Sequence, residues 1–526
     1  FGCMDREILT LQFGEYSNFV ASHFWNLQAE EYDRSKEISP ALFRGYGKKY
    51  IPRMVSCSYQ GSFHDVAFRQ STGLPSVTTW DAPVQTIQSE AFAPTQYQTL
   101  LAEEQANLDH KQKVEIDLSQ TKPDYNLTEE VNVWSDFLRC EVAPRSAYEI
   151  TQVTHSDEAS INQLGSFSNG KMILEDPYEC DELLDRIRWM VEECDSLGGI
   201  QLFSDAEGLF GGISHSILTH FKDDFSSNVP IFTYNLSSSQ ERNDYHVFNE
   251  AYSTAQLSEL SDLLIPLSSH EITSNSLPYI KTNNANWFQS SSVMGAAIDT
   301  MTRGIYYSSR VNHGVAMSNL ANHLGKVAGL SISIPFSPTM IIDAIHSSLL
   351  SSNPDIIPKQ IHQLQNVVSL TGNMSSDFYP SRQTISARGI SNELAKQEFL
   401  ERAKELPKHC NYESVSSVED LFNYYFTVSN PNNVLLTYDE AAVRVPPAFP
   451  HPDYSLDCEF ITSFDGRVTT MPILTHLQTG RNVKQAVKKL AQAIQSSSKL
   501  KIDECADDIA AARNLLQDLE DENEGE

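Results

Sequence analysis

The chain has 526 residues, with 38 Lys and Arg against 69 Asp and Glu, giving a formal net charge of −31 and a pI near 4.8. This length suits about two to four domains, and 40% apolar residues exclude a chain dominated by disorder. Nonspecific binding to nucleic acid or to anionic lipid needs a net basic face, so neither partner is expected.

Arg6–Gly14 reads as a strand, with Ile8, Leu9, Leu11 and Phe13 in a run closed by glycine. Ser17–Gln28 has helical spacing through Phe19, Val20, Phe24 and Leu27. A second strand is expected over Tyr50–Tyr59. From Ser71 to Leu127 the chain is polar and reads as a surface insertion, within which Tyr97–Lys113 can form one helix. Glu179–Cys194 is an amphipathic helix, leading through Gly198-Gly199 into a buried strand, Ile200–Phe203. A glycine-bearing turn over Ser204–Gly212 precedes a helix from about Ile213 to Phe225, and Val229–Tyr234 is another strand. Such strand–helix–strand alternation predicts a parallel, doubly wound sheet, with its ligand crevice at the carboxyl ends of the strands. Helices are expected over Val247–Leu264, at Ser291–Ala297 and over Val311–Val327, the last running into a strand at Leu330–Phe336. Asn353–Arg388 reads as loop-rich. Glu393–Leu406, Asn482–Gln495 and Lys499–Leu519 read as helices, and six of the last nine residues are carboxylates.

No basic n-region precedes an apolar h-region, so no secretory signal is expected, and no apolar run reaches the length of a transmembrane helix. The eight cysteines are scattered without CxxC spacing and read as reduced thiols of a cytosolic protein. The histidines do not cluster at metal-ligand spacing. Gly45-Tyr46-Gly47-Lys48-Lys49 lacks the spaced glycine and the Ser or Thr of a Walker A loop. Ser214 beside His215 is no nucleophile–base pair, because neighbours on a helix diverge by about 100°.

Several segments carry a family resemblance. Arg6–Val20, with Phe24-Trp25-Asn26, resembles the opening of tubulins, and Lys49–Val55 resembles the stretch before tubulin's second nucleotide loop. Val133–Arg139, Pro144-Arg145-Ser146 and Val191–Asp195 are unlike tubulin and similar to the Misato family, as is, more weakly, Arg444–Pro450. The resemblance implies an α/β fold: a tubulin/FtsZ-like parallel-sheet domain of the nucleotide-binding type, a second α/β domain and a C-terminal helical region. On this chain those become residues 4–240 with the polar insertion at about 71–127, a core helix and intermediate domain over 241–390, and a helix-rich region with an acidic tail over 391–526. It also implies a cytoplasmic protein at the outer surface of mitochondria, acting in their distribution, morphology and inheritance. Implied partners are the tubulin and microtubule system in mitosis, the cytosolic chaperonin and mitochondrial outer-membrane proteins.

Tubulins hold their triphosphate on backbone N–H groups of glycine-rich turns at helix N-termini, where the helix dipole favours anions. In the first loop Gly14 and Asn18 persist, whereas Ser17 and Ala21 replace glycines and Glu15 replaces a neutral amide. The glycine-rich third stretch corresponds to Ala206–Gly212. There Gly208, Gly211 and Gly212 persist, and read as a tight turn with positive φ, but Glu207, Leu209 and Phe210 do not suit a phosphate cradle. A carboxylate about 4 Å from a phosphate costs on the order of 1–4 kcal/mol. The second loop offers Ser58 and Gln60 in place of magnesium-placing acids. The hydrolysis loop falls at Gly314–Asn322, with Asn319 and Asn322 in place of its acids, and no Asp or Glu lies between Asp299 and Asp343. Gly14, Asn18, Gly208, Gly211 and Gly212 are thus read as a vestigial nucleotide site with no catalytic residue and no metal ligand. Trp287, near the position of tubulin's base-stacking aromatic, reads as a core residue. No cofactor is expected. The alternatives are a GTP-binding switch or polymerising GTPase, and a protein that serves chiefly as a chaperonin partner.

Overall fold

A computed structural model describes residues 6–35, 38–46, 49–63, 95–99, 101, 127–154, 165–225, 229–238, 243–272, 277, 282–283, 286–307, 311, 314–336, 367–372, 381–390, 417, 420, 422, 434–446, 449, 462–464, 467–496 and 506–522. Most of the polar insertion, the Glu393–Leu406 helix and the end of the acidic tail lie outside the described residues.

The first sheet is built from β1 (Glu7–Phe13), β4 (Met54–Gln60), β5 (Ala147–Thr154), β6 (Leu197–Asp205), β7 (Ile231–Ser237) and β8 (Leu263–Ser268). Its order is β5-β4-β1-β6-β7-β8, and every pairing is parallel. A short antiparallel pair, β2 (Phe43–Tyr46) with β3 (Lys49–Pro52), precedes β4 and splits the expected Tyr50–Tyr59 strand at Arg53. All seven residues of β1 are buried, as a strand covered on both faces requires. Leu9, Leu11 and Phe13 enter the core on one face, while Ile8 enters the core on the other.

The Ile8 face is covered by α1 (Glu15–Ser35), through Phe19, Val20, Phe24 and Trp25, and by α6 (Trp287–Met301). The opposite face holds α2 (Phe167–Ile173), α3 (Pro177–Glu192), α4 (Leu209–Asp224) and α5 (Asp244–Leu260). The helix α3 begins where Asp176 caps the Tyr178 amide and Pro177 presets φ, and it buries Leu183, Leu184, Ile187 and Met190. Later in the chain, α7 is Met317–Leu324, and α8 (Arg481–Ser496) and α9 (Ala506–Glu522) pack over α5.

The second sheet has the order β10-β9-β16-β11-β12. Its strands are β9 (Gly329–Ser333), β10 (Val367–Ser369), β11 (Arg382–Arg388), β12 (Val434–Asp439) and β16 (Ile473–Thr479). Between β12 and β16 a small antiparallel sheet is formed by β13 (Val443–Arg444), β14 (Thr462–Phe464) and β15 (Arg467–Met471). The helix α6 lies between α1 and the second sheet.

Several elements differ from expectation for local reasons. Over Val247–Leu264 the helix stops at Leu260, because Asp262 turns its carboxylate to the Ile231 amide (2.8 Å) and so starts β8 beside β7. The expected Val311–Val327 helix is only α7, stopped by Gly325 at φ +82°. The stretch Asn353–Arg388 supplies β10 and β11, and residues beyond 390 supply β12 and β16 to the same sheet beside α8 and α9. Alternation through Leu474, His476 and Gln478 weakens the apolar signal there, although all of β16 is buried.

Candidate functional site

The strand order reverses at β1, whose neighbours are β4 and β6, and this switch point opens a crevice at the carboxyl ends of the three strands. The β1 loop is short: Gly14, at φ +120°, turns the chain directly into α1. Its amide donates to Cys57 O (3.0 Å), and the Asn18 side-chain amide donates to Gly14 O, Cys57 O (3.3 Å) and Ser58 Oγ (2.9 Å). Asn18 thereby ties the β1 loop to the end of β4. Gly14 and Asn18 are brought together as the sequence predicts.

The first amides of α1 are occupied from within the chain. The carboxylate of Asp205, the last residue of β6, accepts from Tyr16 N (3.1 Å) and Ser17 N (2.7 Å). It lies so close to Gly14 that a Cβ there would meet Asp205 Oδ2 at 2.2 Å. Glu15 is buried and faces away from these amides, its Oε1 accepting from Tyr59 N (3.0 Å) and Ser62 Oγ (2.6 Å). Burial pushes the Glu15 carboxyl up to about 7, against those two hydrogen bonds and with the Glu149 charge adding to the rise. Asp205 keeps partial exposure, yet desolvation raises its carboxyl to about 8, opposed by the Ser17 and Tyr16 amides and helped by Glu15 and Glu207. Glu207 leaves the crevice for the end of β7, where it accepts from Ser237 Oγ (2.5 Å) and Ser238 N (2.9 Å).

The three later glycines do a different job from the one expected. The turn ends earlier than predicted, since α4 starts at Leu209, so Gly211 and Gly212 are already helical. None of Gly208, Gly211 and Gly212 has a positive φ, which corrects the expected turn geometry. A Cβ on Gly212 would sit 1.9 Å from Phe167 O, and one on Gly211 would sit 2.8 Å from Ser253 Oγ. These two glycines let α4 approach α2 and α5, and Gly170 does the same from the α2 side, where a Cβ would fall 1.8 Å from Leu209 O. Gly208 is the N-cap of α4 with extended backbone. Leu209 and Phe210 are buried, and the Phe210 ring packs 4.9 Å from the Tyr59 ring. Apolar packing fills what would be the phosphate side of the third loop.

The remaining predicted positions lie at the edges. Ser58 is buried on Asn18, and Gln60 is exposed at the end of β4. Asn319 and Asn322 are exposed on α7. Trp287 is not a core residue: it opens α6 at 36% exposure, with its ring edge-on to Tyr16 (5.8 Å) and Phe19 (5.9 Å). Among the described residues no cluster of three His, Cys, Asp or Glu can hold a metal, and no helix is long and apolar enough to cross a membrane.

Two features escaped the sequence reading. Asp205 is one; it ends an apolar strand and gives no sign there of its partners. The other is a buried ionic network that joins α1 and α6 to the second sheet. Arg303 pairs with Glu31 (3.2 Å) and Asp439 (2.6 Å), and Arg388 pairs with Glu31 (3.1 Å) and Asp299. The Arg303 guanidinium also stacks on Tyr307, 3.8 Å from the ring centre. Burial works against the Asp439 charge, but Arg303 and Arg388 hold that carboxyl below its usual range.

Comparison with known proteins agrees with this architecture. Residues 6–103 match the Misato Segment II tubulin-like domain, and residues 123–305 match a tubulin domain. Protein misato homolog 1 of Danio rerio is 25% identical over 558 residues, covering 93% of this chain and 91% of that protein. The Homo sapiens protein of the same name is 27% identical over 63% of this chain and 66% of its own length. Protein misato of Drosophila melanogaster is 27% identical over 56% of this chain and 59% of its own. With a six-stranded parallel sheet, a switch-point crevice and both domain matches in place, the chain belongs to the Misato family of tubulin-like proteins.

Proposed function

We propose that this chain is a non-enzymatic tubulin-like protein that acts through its surfaces in the distribution, morphology and inheritance of mitochondria and in microtubule assembly during mitosis. The observation that carries the non-enzymatic part is the crevice itself: Asp205 sits on the α1 amides and Phe210 packs against Tyr59 where a triphosphate would need open backbone. The absence of any Asp or Glu between Asp299 and Asp343 removes the acids that would orient a hydrolytic water. The mitochondrial and mitotic roles, the cytoplasmic site at the mitochondrial outer surface, and the chaperonin partner rest on the family resemblance. Depletion from cells, followed by imaging of mitochondria and spindles with re-expression as control, tests them. Dispersed, normal mitochondria and normal spindles after depletion would refute the reading.

Two observations favour a second reading, a nucleotide-gated switch. Gly14 keeps its positive φ, and Trp287 stands exposed near the mouth of the crevice beside Tyr16, open to a planar ring. Filaments formed only on addition of GTP would favour it.

A further inference from the structure

The N-terminus of α1 has the makings of an oxyanion site. It heads a helix of 21 residues, its N-cap position is a glycine with no side chain to cap it, and its first free amides point into the crevice toward Asp205. Three acids crowd this place, but only one is on the amides. Glu15 is held by Tyr59 and Ser62 at β4, and Glu207 by Ser237 and Ser238 at β7. Asp205 alone bridges Tyr16 N and Ser17 N. Two further observations are independent of that pair of bonds. Only glycine at position 14 leaves room for the carboxylate, since a Cβ would fall 2.2 Å from Oδ2. Asn18, fully buried in the first turn of the same helix, leaves its Oδ1 without a hydrogen-bond partner among the described residues, an acceptor suited to a protonated oxyanion.

We propose that Asp205 is a tethered oxyanion, occupying the α1 amides in place of a free one and so deciding which ligands this terminus can take. While Asp205 is in place, a phosphate-bearing ligand meets a filled site and, above the pH of about 8 at which this carboxyl ionises, a like charge as well. Once it is removed, the same two amides and the Asn18 side chain form an open site for a small oxyanion such as inorganic phosphate. The inference rests on the reading of the crevice as closed to nucleotide, and it names the residue that closes it.

The test uses the full chain with Asp205→Gly and Asp205→Asn, and inorganic phosphate as the probe against chloride at equal ionic strength. Calorimetric titration and thermal melting are the readouts. At pH 9, where Asp205 is ionised in the wild type, Asp205→Gly is expected to bind phosphate about tenfold or more tighter than wild type, as removal of a like charge at close range implies, with a phosphate-specific rise in melting temperature. Asp205→Asn keeps a side chain over the amides and is expected to gain no such response. The proposal is overturned if the folded glycine variant ignores phosphate, or if the asparagine variant responds equally, which would place the anion elsewhere. It is also overturned if the glycine variant is unfolded in both buffers, since a free anion then cannot replace the carboxylate. GTP titrated into the wild type separates the two claims: binding there refutes the closed crevice, whereas silence of the glycine variant refutes only the role of Asp205.

Discussion

Glu15 offers the most quantitative handle on the crevice. Its carboxyl is almost fully buried among Tyr59, Ser62, Asp205 and Glu149, and its pKa rises from an ordinary 4.5 to about 7. Between those two values the unfolded chain has released the proton and the folded chain still holds it, so rising pH favours unfolding. At about 1.4 kcal/mol per pH unit, the fold carries a cost of about 3 kcal/mol once the pH is above 7. Glu15→Gln retains an oxygen for the Tyr59 amide and the Ser62 hydroxyl but never ionises. The value of about 7 already includes what those two hydrogen bonds give the charged form, so the whole cost is recovered. The variant should therefore be more stable than wild type by about 3 kcal/mol at pH 8 and no more stable at pH 4.5. Urea denaturation of both proteins at the two pH values measures the difference directly. An equal difference at both pH values, or a variant weaker than wild type at pH 8, would refute the claim that a buried charge is being carried at this position.

Other perturbations test the packing around the site. Gly212→Ala forces a methyl to within 1.9 Å of Phe167 O, so α4 and α2 must separate; a loss of about 1–3 kcal/mol is expected, and a melt identical to wild type would contradict the packing role given to this glycine. Arg303→Met leaves Glu31 and Asp439 buried with one cation fewer, and a loss of about 3–5 kcal/mol is expected in denaturant titration. An unaffected Arg303→Met protein would mean that the network does not join α1 to the second sheet energetically.

The fold was legible wherever a single element carried its own pattern. The stripe of α3 and the apolar run before Asp205 fix a helix and a buried strand with no knowledge of their neighbours. The second sheet was less legible, because strands such as β11 and β16 bury Gln383, Thr384, His476 and Gln478 as well as apolar side chains. At the site, Gly14 and Asn18 could be read from the β1 loop, since their partners are close in sequence or lie on the next strand of the sheet. Gly211 and Gly212 were misread because a glycine pair looks the same in a phosphate turn and in a close helix crossing. Asp205 could not be read at all: the amides it holds lie 189 and 188 residues away. The pairing of Glu31 with Arg388 spans 357 positions and is equally invisible to local pattern. Side chains that act across the fold are the part a sequence conceals.

The central claim, a tubulin fold whose nucleotide crevice is closed by its own residues, is tested most directly by the nucleotide content of freshly purified, gently handled protein. Acid release and anion-exchange separation measure what the chain carries, and a titration with GTP and magnesium measures what it accepts. The account predicts a protein that emerges empty and ignores GTP at millimolar concentration. Guanine nucleotide recovered in near-equal amount to the chain would contradict it, and would require Asp205 and Phe210 to leave the positions described above.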